Sequence, residues 1–161
     1  MADMERVRKN LEERGFQTSC FATAKEAADY LDAQIDGATV GIGGSMTIQA
    51  MGLSERLSKH NEVSWHWEGG ELRRAMLADV YLTSVNGLAE TGEIVNIDGN
   101  CNRVAASMFG PKREYYVVGI NTKGNMFLTQ LVAKQMIAQE PVDGRKGVIV
   151  NVSSCSSVVS S

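Results

Sequence analysis

Two stretches of the chain concentrate residues able to do chemistry. The first is Gly41-Ile42-Gly43-Gly44-Ser45-Met46-Thr47. Glycines let a backbone come close to a ligand, and a helix start with two hydroxyls offers donors to an anion, so a phosphate or carboxylate suits this turn. The same residues also make a tight strand-to-helix turn in which Ser45 merely caps the helix. The second stretch, Asn86 to Arg103, gathers Asn86, Glu90, Asp98, Asn102 and Arg103 around a hairpin and the helix start behind it. It follows a buried strand, at the edge where open α/β sheets place their sites. Turn chemistry accounts for part of that polarity, because Asn, Asp and Gly are also turn residues for backbone reasons.

Together the two stretches predict one cleft for a small anionic metabolite. Gly43, Gly44, Ser45 and Thr47 hold its phosphate or carboxylate from one side. Asn86, Glu90, Asp98, Asn102 and Arg103 face them, with Arg103 neutralising charge and the amides fixing orientation. Glu90 and Asp98 are the acid–base candidates, since the Asn86 amide can neither take nor give a proton. The competing expectation is a non-catalytic scaffold in which Arg103 pairs with Asp98 and nothing binds. No catalytic residue is assigned, and whether the chain is an enzyme stays open.

The elements that must position these residues follow from apolar spacing. Met4, Val7 and Leu11 predict a helix over 3–14, and Phe16 to Phe21 a short strand. Thr23 caps a second helix carrying Ala27, Leu31 and Ile35, which Gly37 ends. Thr39 to Ile42 is a buried strand feeding the glycine turn, then helical stretches at Met46 to Met51 and Leu53 to His60. Val63 to Trp67 reads as a strand, Glu71 to Ala78 as a helix and Asp79 to Val85 as a strand. Around the Thr91-Gly92 turn, Leu88 to Glu90 and Glu93 to Ile97 form a hairpin. Asn102 to Phe109 is helical, and Tyr115 to Ile120 is an apolar strand. A helix over 126–139 and a buried strand over 147–152 follow, the latter pairing beside a central strand, while Ser153 to Ser161 is a frayed tail. Strands alternating with helices predict a three-layer α/β fold with a mainly parallel, Rossmann-like sheet.

Composition limits the partners. Of 161 residues 43% are hydrophobic, and the net charge of -3 gives no field for collecting polyanions, so nucleic acid is not expected. No apolar run approaches the ~20 residues of a membrane span, and Met1 to Arg14 lacks the apolar core of a secretion signal; the reading is cytoplasmic, with no membrane partner. Homo-oligomerisation stays open. Cys20, Cys101 and Cys155 lie far apart without a C-x-x-C pair, so neither zinc nor an iron–sulfur cluster is expected, and no cofactor is assigned. His60 reads as a surface charge at a helix end and His66, between Trp65 and Trp67, as structural. Arg73 and Arg74 read as a solvated helix face, and the eight methionines as core filler.

From Val40 to Leu53 and from Ala78 to Arg103 the chain resembles small LUD (lactate-utilisation) domain proteins, through G-G-S-x-T and N-x-L-x-E-x-G-x-I-V-N-I-D-G-x-x-N-R. The resemblance runs from about residue 3 to Asn121. It implies the fold shared by ribose-5-phosphate isomerase-like and CoA-transferase-like proteins. Related isomerases place an Asp where this chain has Asn86, which argues against isomerase chemistry by that route; a reactive Glu of the transferases lies near a turn similar to that of Glu90. Residues 124–161 instead resemble the middle of a short-chain dehydrogenase/reductase, with Ser154 at the place of the family's catalytic serine. That family's tyrosine and lysine partners and its T-G-x-x-x-G-x-G fingerprint are not present. The resemblances imply a chimera, natural or engineered, joined near Lys123, with 1–161 as one α/β domain, against a divergent natural tail whose likeness reflects the common needs of a buried βα unit. Without cysteines for a cluster or a dinucleotide fingerprint, no lactate-oxidising or NAD(P)-dependent activity is expected.

Overall fold

The structure, a computed structural model, describes residues 3–119 and the backbone of residues 157–160. Helix α1 (Met4–Glu13) starts where the Asp3 carboxylate accepts the Arg6 backbone N–H, and it buries Val7 and Leu11 at helical spacing. After β1 (Gln17–Cys20), α2 (Ala24–Gln34) opens with a reciprocal capping box between Thr23 and Glu26. Strand β2 (Thr39–Ile42), α3 (Met46–Ala50), α4 (Leu53–Leu57) and β3 (Glu62–Trp65) follow. A 3-10 turn, His66–Glu68, and α5 (Leu72–Met76) lead into β4 (Val80–Thr83). The hairpin strands β5 (Gly87–Leu88) and β6 (Ile94–Val95), α6 (Asn102–Ala106), β7 (Arg113–Val118) and β8 (Ser157–Ser160) complete the described elements.

Strands β3, β2, β4 and β7 form an all-parallel set, as alternating strands and helices predict. Strand β8 runs antiparallel to β7 on one side and to β1 on the other, giving the order β1-β8-β7-β4-β2-β3. Val40, Ile42, Val80, Leu82, Tyr115 and Val117 line one face beneath α2, α3 and α4, with Leu31, Ile35, Ile48, Leu53 and Leu57 above them. The other face carries Gly41, Tyr81 and Glu114 in register. There α5 and α6 cover Tyr81 through Ala75 and Ala106, while α1 and the hairpin cover Tyr116 through Val7, Leu11 and Leu88. Two helical layers on a largely parallel sheet explain why β4 is buried at all four positions, since both of its faces are covered.

Several boundaries depart from the expectations. The strand predicted to run to Trp67 stops at Trp65, and the helix predicted to reach Phe109 stops at Ala106. The tail expected to fray over 153–161 instead supplies β8, whose backbone joins β1 to β7. Val158 and Val159 give it enough β propensity to pair once two strands offer unpaired edges. The helix and strand expected over 126–152, and Ser154, lie outside the described residues.

Candidate functional site

The carboxyl ends of β2, β4 and β7 release Gly43, Ser84 and Gly119 at one edge of the sheet. From β2 the chain proceeds toward β3, and from β4 it proceeds toward β7 on the opposite side. The two exits therefore diverge between β2 and β4, the switch point where open α/β sheets bind ligands. The glycine turn and the loop from Asn86 to Arg103 both begin at this divergence.

None of Gly41, Gly43 and Gly44 has a positive φ, so their identity reflects crowding rather than backbone conformation. A Cβ on Gly41 would lie 1.9 Å from the Ala75 carbonyl oxygen of α5. On Gly43 it would meet the Tyr81 hydroxyl at 3.0 Å, Thr83 Oγ1 at 3.1 Å and Arg103 Cγ at 3.2 Å; on Gly44 it would meet the Trp67 indole at 3.2 Å. The α5 backbone and the side chains of Tyr81, Thr83, Arg103 and Trp67 thus crowd the turn that the sequence predicts as a ligand's approach. Ser45 caps α3 by accepting the Ile48 N–H at 3.1 Å and shares a hydrogen bond with the Ser84 hydroxyl. Thr47 stands beside Gly119, where a Cβ would meet its Oγ1 at 3.1 Å.

Across the divergence, Arg103 is half-buried. One terminal nitrogen of its guanidinium donates to Asn86 Oδ1 at 2.7 Å and to the Ile97 carbonyl. Among the described residues no carboxylate lies within 4.0 Å of that guanidinium. Asp98, the partner expected in a scaffold, instead accepts backbone N–H groups: Oδ2 takes those of Arg103 at 2.6 Å and Val104 at 3.2 Å, and Oδ1 that of Asn100 at 3.1 Å. Burial works against its charge, yet these backbone donors and the nearby Arg103 hold the carboxyl below its usual range. Asp98 is thereby committed to shaping the loop. Cys101 before α6 takes a left-handed conformation, φ 58°, that non-glycine residues rarely adopt. It turns the chain so that the buried Asn102 and then Arg103 enter the helix.

The structure separates Glu90 from this group. It sits on the hairpin tip, its carbonyl accepting from the Asn10 amide of α1 and its carboxylate 4.0 Å from Arg6. The hairpin leans on α1 because Leu88 and Ile94 join Val7 and Leu11 in one apolar cluster. Gly43, Ser45, Thr47, Asn86, Asp98, Asn102 and Arg103 stay at the carboxyl edge. Tyr81, Thr83, Ser84 and Trp67 join them without having been singled out in the sequence. Their positions at or just past strand ends were the available signal. The Tyr81 hydroxyl is buried beside the Asn102 side chain; burial, then the charges of Glu114 and Asp98, push its pKa upward, with Arg103 and Asn102 pulling the other way.

Elsewhere, a cavity of about 510 Å³ opens at the opposite, amino edge, lined by Thr39, Lys59, His60, Asn61, Glu62 and Asp79. None of the predicted site residues borders it. No group of His, Cys, Asp and Glu among the described residues could hold a metal ion. No helix among them is long and apolar enough to cross a membrane.

No curated protein and no solved structure matches the chain. The family described as LUD domain matches residues 4–122, from the start of α1 past β7, and so covers the glycine turn, the hairpin and Arg103. The match includes nothing beyond residue 122, and the likeness of 124–161 to reductases gains no support from it. With the matched stretch spanning most of the sequence and both halves of the switch point, the chain belongs to the LUD domain family.

Proposed function

We propose that the chain binds a small anionic metabolite, a phosphate or carboxylate, where β2 and β4 diverge. One observation carries this reading: the Arg103 guanidinium is held in place by two neutral acceptors, Asn86 Oδ1 and the Ile97 carbonyl, and makes no direct ion pair with a described carboxylate, the nearby Asp98 being taken up by backbone N–H donors. A cation oriented by neutral groups at a switch point keeps its charge for a ligand. Ser45, Thr47, Asn86 and Asn102 lie within the same edge as donors, and Gly43 and Gly44 keep the turn tight against it. On this reading Glu90 stands apart from the ligand, since the hairpin tip that carries it lies against α1.

The fold relation to ribose-5-phosphate isomerase-like and CoA-transferase-like proteins belongs to this reading, supported by the family resemblance and the mainly parallel sheet. The stretch from 124 onward, which resembles a reductase in sequence, is read as joined near Lys123; the family match ends at residue 122 and does not bear on it. On this reading the chain has no redox step of its own, because its three cysteines are too dispersed for a cluster and it has no dinucleotide fingerprint.

A thermal-shift screen of sugar phosphates, 2-hydroxy acids and CoA esters tests the proposal. A ligand present at 100 times its dissociation constant stabilises by about 2.7 kcal/mol, and Arg103→Gln abolishes the shift while leaving the unliganded melting point near that of the parent. No stabilisation by any anion at millimolar concentration overturns it in favour of a scaffold. Tight NAD(P)H binding with turnover of a carbonyl substrate overturns the absence of redox chemistry.

A further inference from the structure

We propose that Asn86 determines the charge class of ligand that this edge accepts: it positions Arg103 through an uncharged acceptor and so leaves the guanidinium charge open to an anion. This rests on the anion site at Arg103. Asn86 stands between β4 and the hairpin strand β5, where its backbone N–H donates to the Val95 carbonyl at 3.1 Å. Its side-chain Oδ1 accepts twice, from the Ile97 N–H at 2.9 Å and from Arg103 Nη2 at 2.7 Å. Both partners can only donate, so the amide is oriented with its oxygen, not its nitrogen, toward the guanidinium.

The same guanidinium nitrogen donates to the Ile97 carbonyl. Nη2 thus has both of its protons engaged, whereas Nε and Nη1 of Arg103 and Nδ2 of Asn86 have no hydrogen-bond partner among the described residues. Those N–H groups are the donors left for an anion.

An aspartate at position 86 would accept from Ile97 and Arg103 in the same places and would make the stronger, charge-assisted bond. Its second oxygen would replace Nδ2, setting a negative group where the amide offers a donor. Hydrogen bonding by itself therefore favours a carboxylate here, and keeping the Arg103 charge favours the amide. Asp98, the acid near this guanidinium, is used in the same sense, since its oxygens take the backbone N–H groups of Asn100, Arg103 and Val104.

Titration of the full chain and of its Asn86→Asp and Asn86→Ala variants with ribose 5-phosphate, lactate and acetyl-CoA, alongside melting curves, separates this role from a structural one. Asn86→Asp keeps both acceptors and melts at or above the parent temperature, yet binds about tenfold or more weakly every probe that the parent binds. Asn86→Ala loses both hydrogen bonds and melts lower, but loses less affinity than Asn86→Asp. A purely structural role reverses that order of affinities. The contact also reads out without ligand: Asn86→Asp raises the melting point by about 2 °C more in the parent than in an Arg103→Gln background. An affinity of Asn86→Asp at or above that of Asn86→Ala, a melting point below that of Asn86→Ala, or additive melting shifts overturns the inference while the anion site stands. Binding of none of the three probes by the parent, or binding that Arg103→Gln leaves intact, overturns the anion site and with it the role given to Asn86.

Discussion

Glu114 and His60 show how differently two titratable side chains are used in this fold. Glu114 points from β7 into the layer beneath α6, is 6% exposed and leaves Oε1 without a hydrogen bond. Burial pushes its carboxyl up to about 7, with the Tyr116 hydroxyl pulling weakly the other way. Its folded pKa exceeds the ordinary value of 4.5, so the native state binds the proton more tightly and loses stability as pH rises from about 4.5 to about 7. The loss is about 3 kcal/mol across that window. Glu114→Gln, nearly isosteric and never charged, is expected to raise the melting point by several degrees at pH 8 and to change little at pH 4; equal shifts at both pH values contradict the assignment.

His60, read from the sequence as a surface charge at a helix end, carries that charge between two specific carboxylates. Its two ring nitrogens lie 3.0 Å from Asp32 and 3.0 Å from Asp36, an arrangement that requires an N–H on each and hence the imidazolium. Asp32, then Asp36, raise its pKa above 6.5. The stability it contributes is complete below pH 6.5 and is lost as pH rises through the elevated folded value. Melting curves of His60→Asn should therefore differ most from the parent in mild acid and converge with it at alkaline pH. Neither property was legible in the sequence, since Glu114 reads as one polar residue before an apolar strand, and Asp32 and Asp36 are brought to His60 only by the packing of α2 beside α4.

At the scale of elements, the sequence was most legible where local chemistry decides. Thr23 caps α2 through a capping box whose Glu26 lies three residues on, and β2 has the predicted bounds, Thr39–Ile42. It was least legible where an element's neighbours decide. Gly41 looks like part of a ligand-binding turn, yet it sits within β2 and its missing side chain lets α5 lie against the sheet. Gly41→Ala would place a methyl 1.9 Å from the Ala75 carbonyl oxygen, a backbone atom that cannot swing aside. The expected cost is at least about 2 kcal/mol in denaturant unfolding, with displacement of α5. A cost below about 0.5 kcal/mol would mean that α5 does not seat there.

For the whole molecule, the most consequential departure is β8. A serine-rich end that reads as loose chain runs between β1 and β7, pairing Val159 with Thr18 on one side and Tyr116 on the other. Successive N–H groups of such an interior strand point to opposite neighbours, so proline at either Val158 or Val159 removes a ladder bond. Each is expected to cost about 3 kcal/mol and to deprotect β1 amides in hydrogen exchange. Protection of β1 unchanged in both variants would show that β8 does not join it.

The sequence by itself determined the α/β class, the run of parallel strands, the caps and the LUD membership, because these rest on spacing and residue type within short windows. Tertiary structure decided which of the candidate residues share an edge. The β2 and β4 exits bring Gly43 against Arg103 and Gly44 against Trp67, whereas an apolar cluster draws the hairpin and Glu90 toward α1. It also decided that Asp98 takes backbone donors directly, with the Arg103 charge near it but not in ion-pair contact. The physical reason is that hydrophobic periodicity specifies the faces of each element locally, while contacts between residues dozens of positions apart depend on the order in which strands join the sheet, and no local pattern encodes that order.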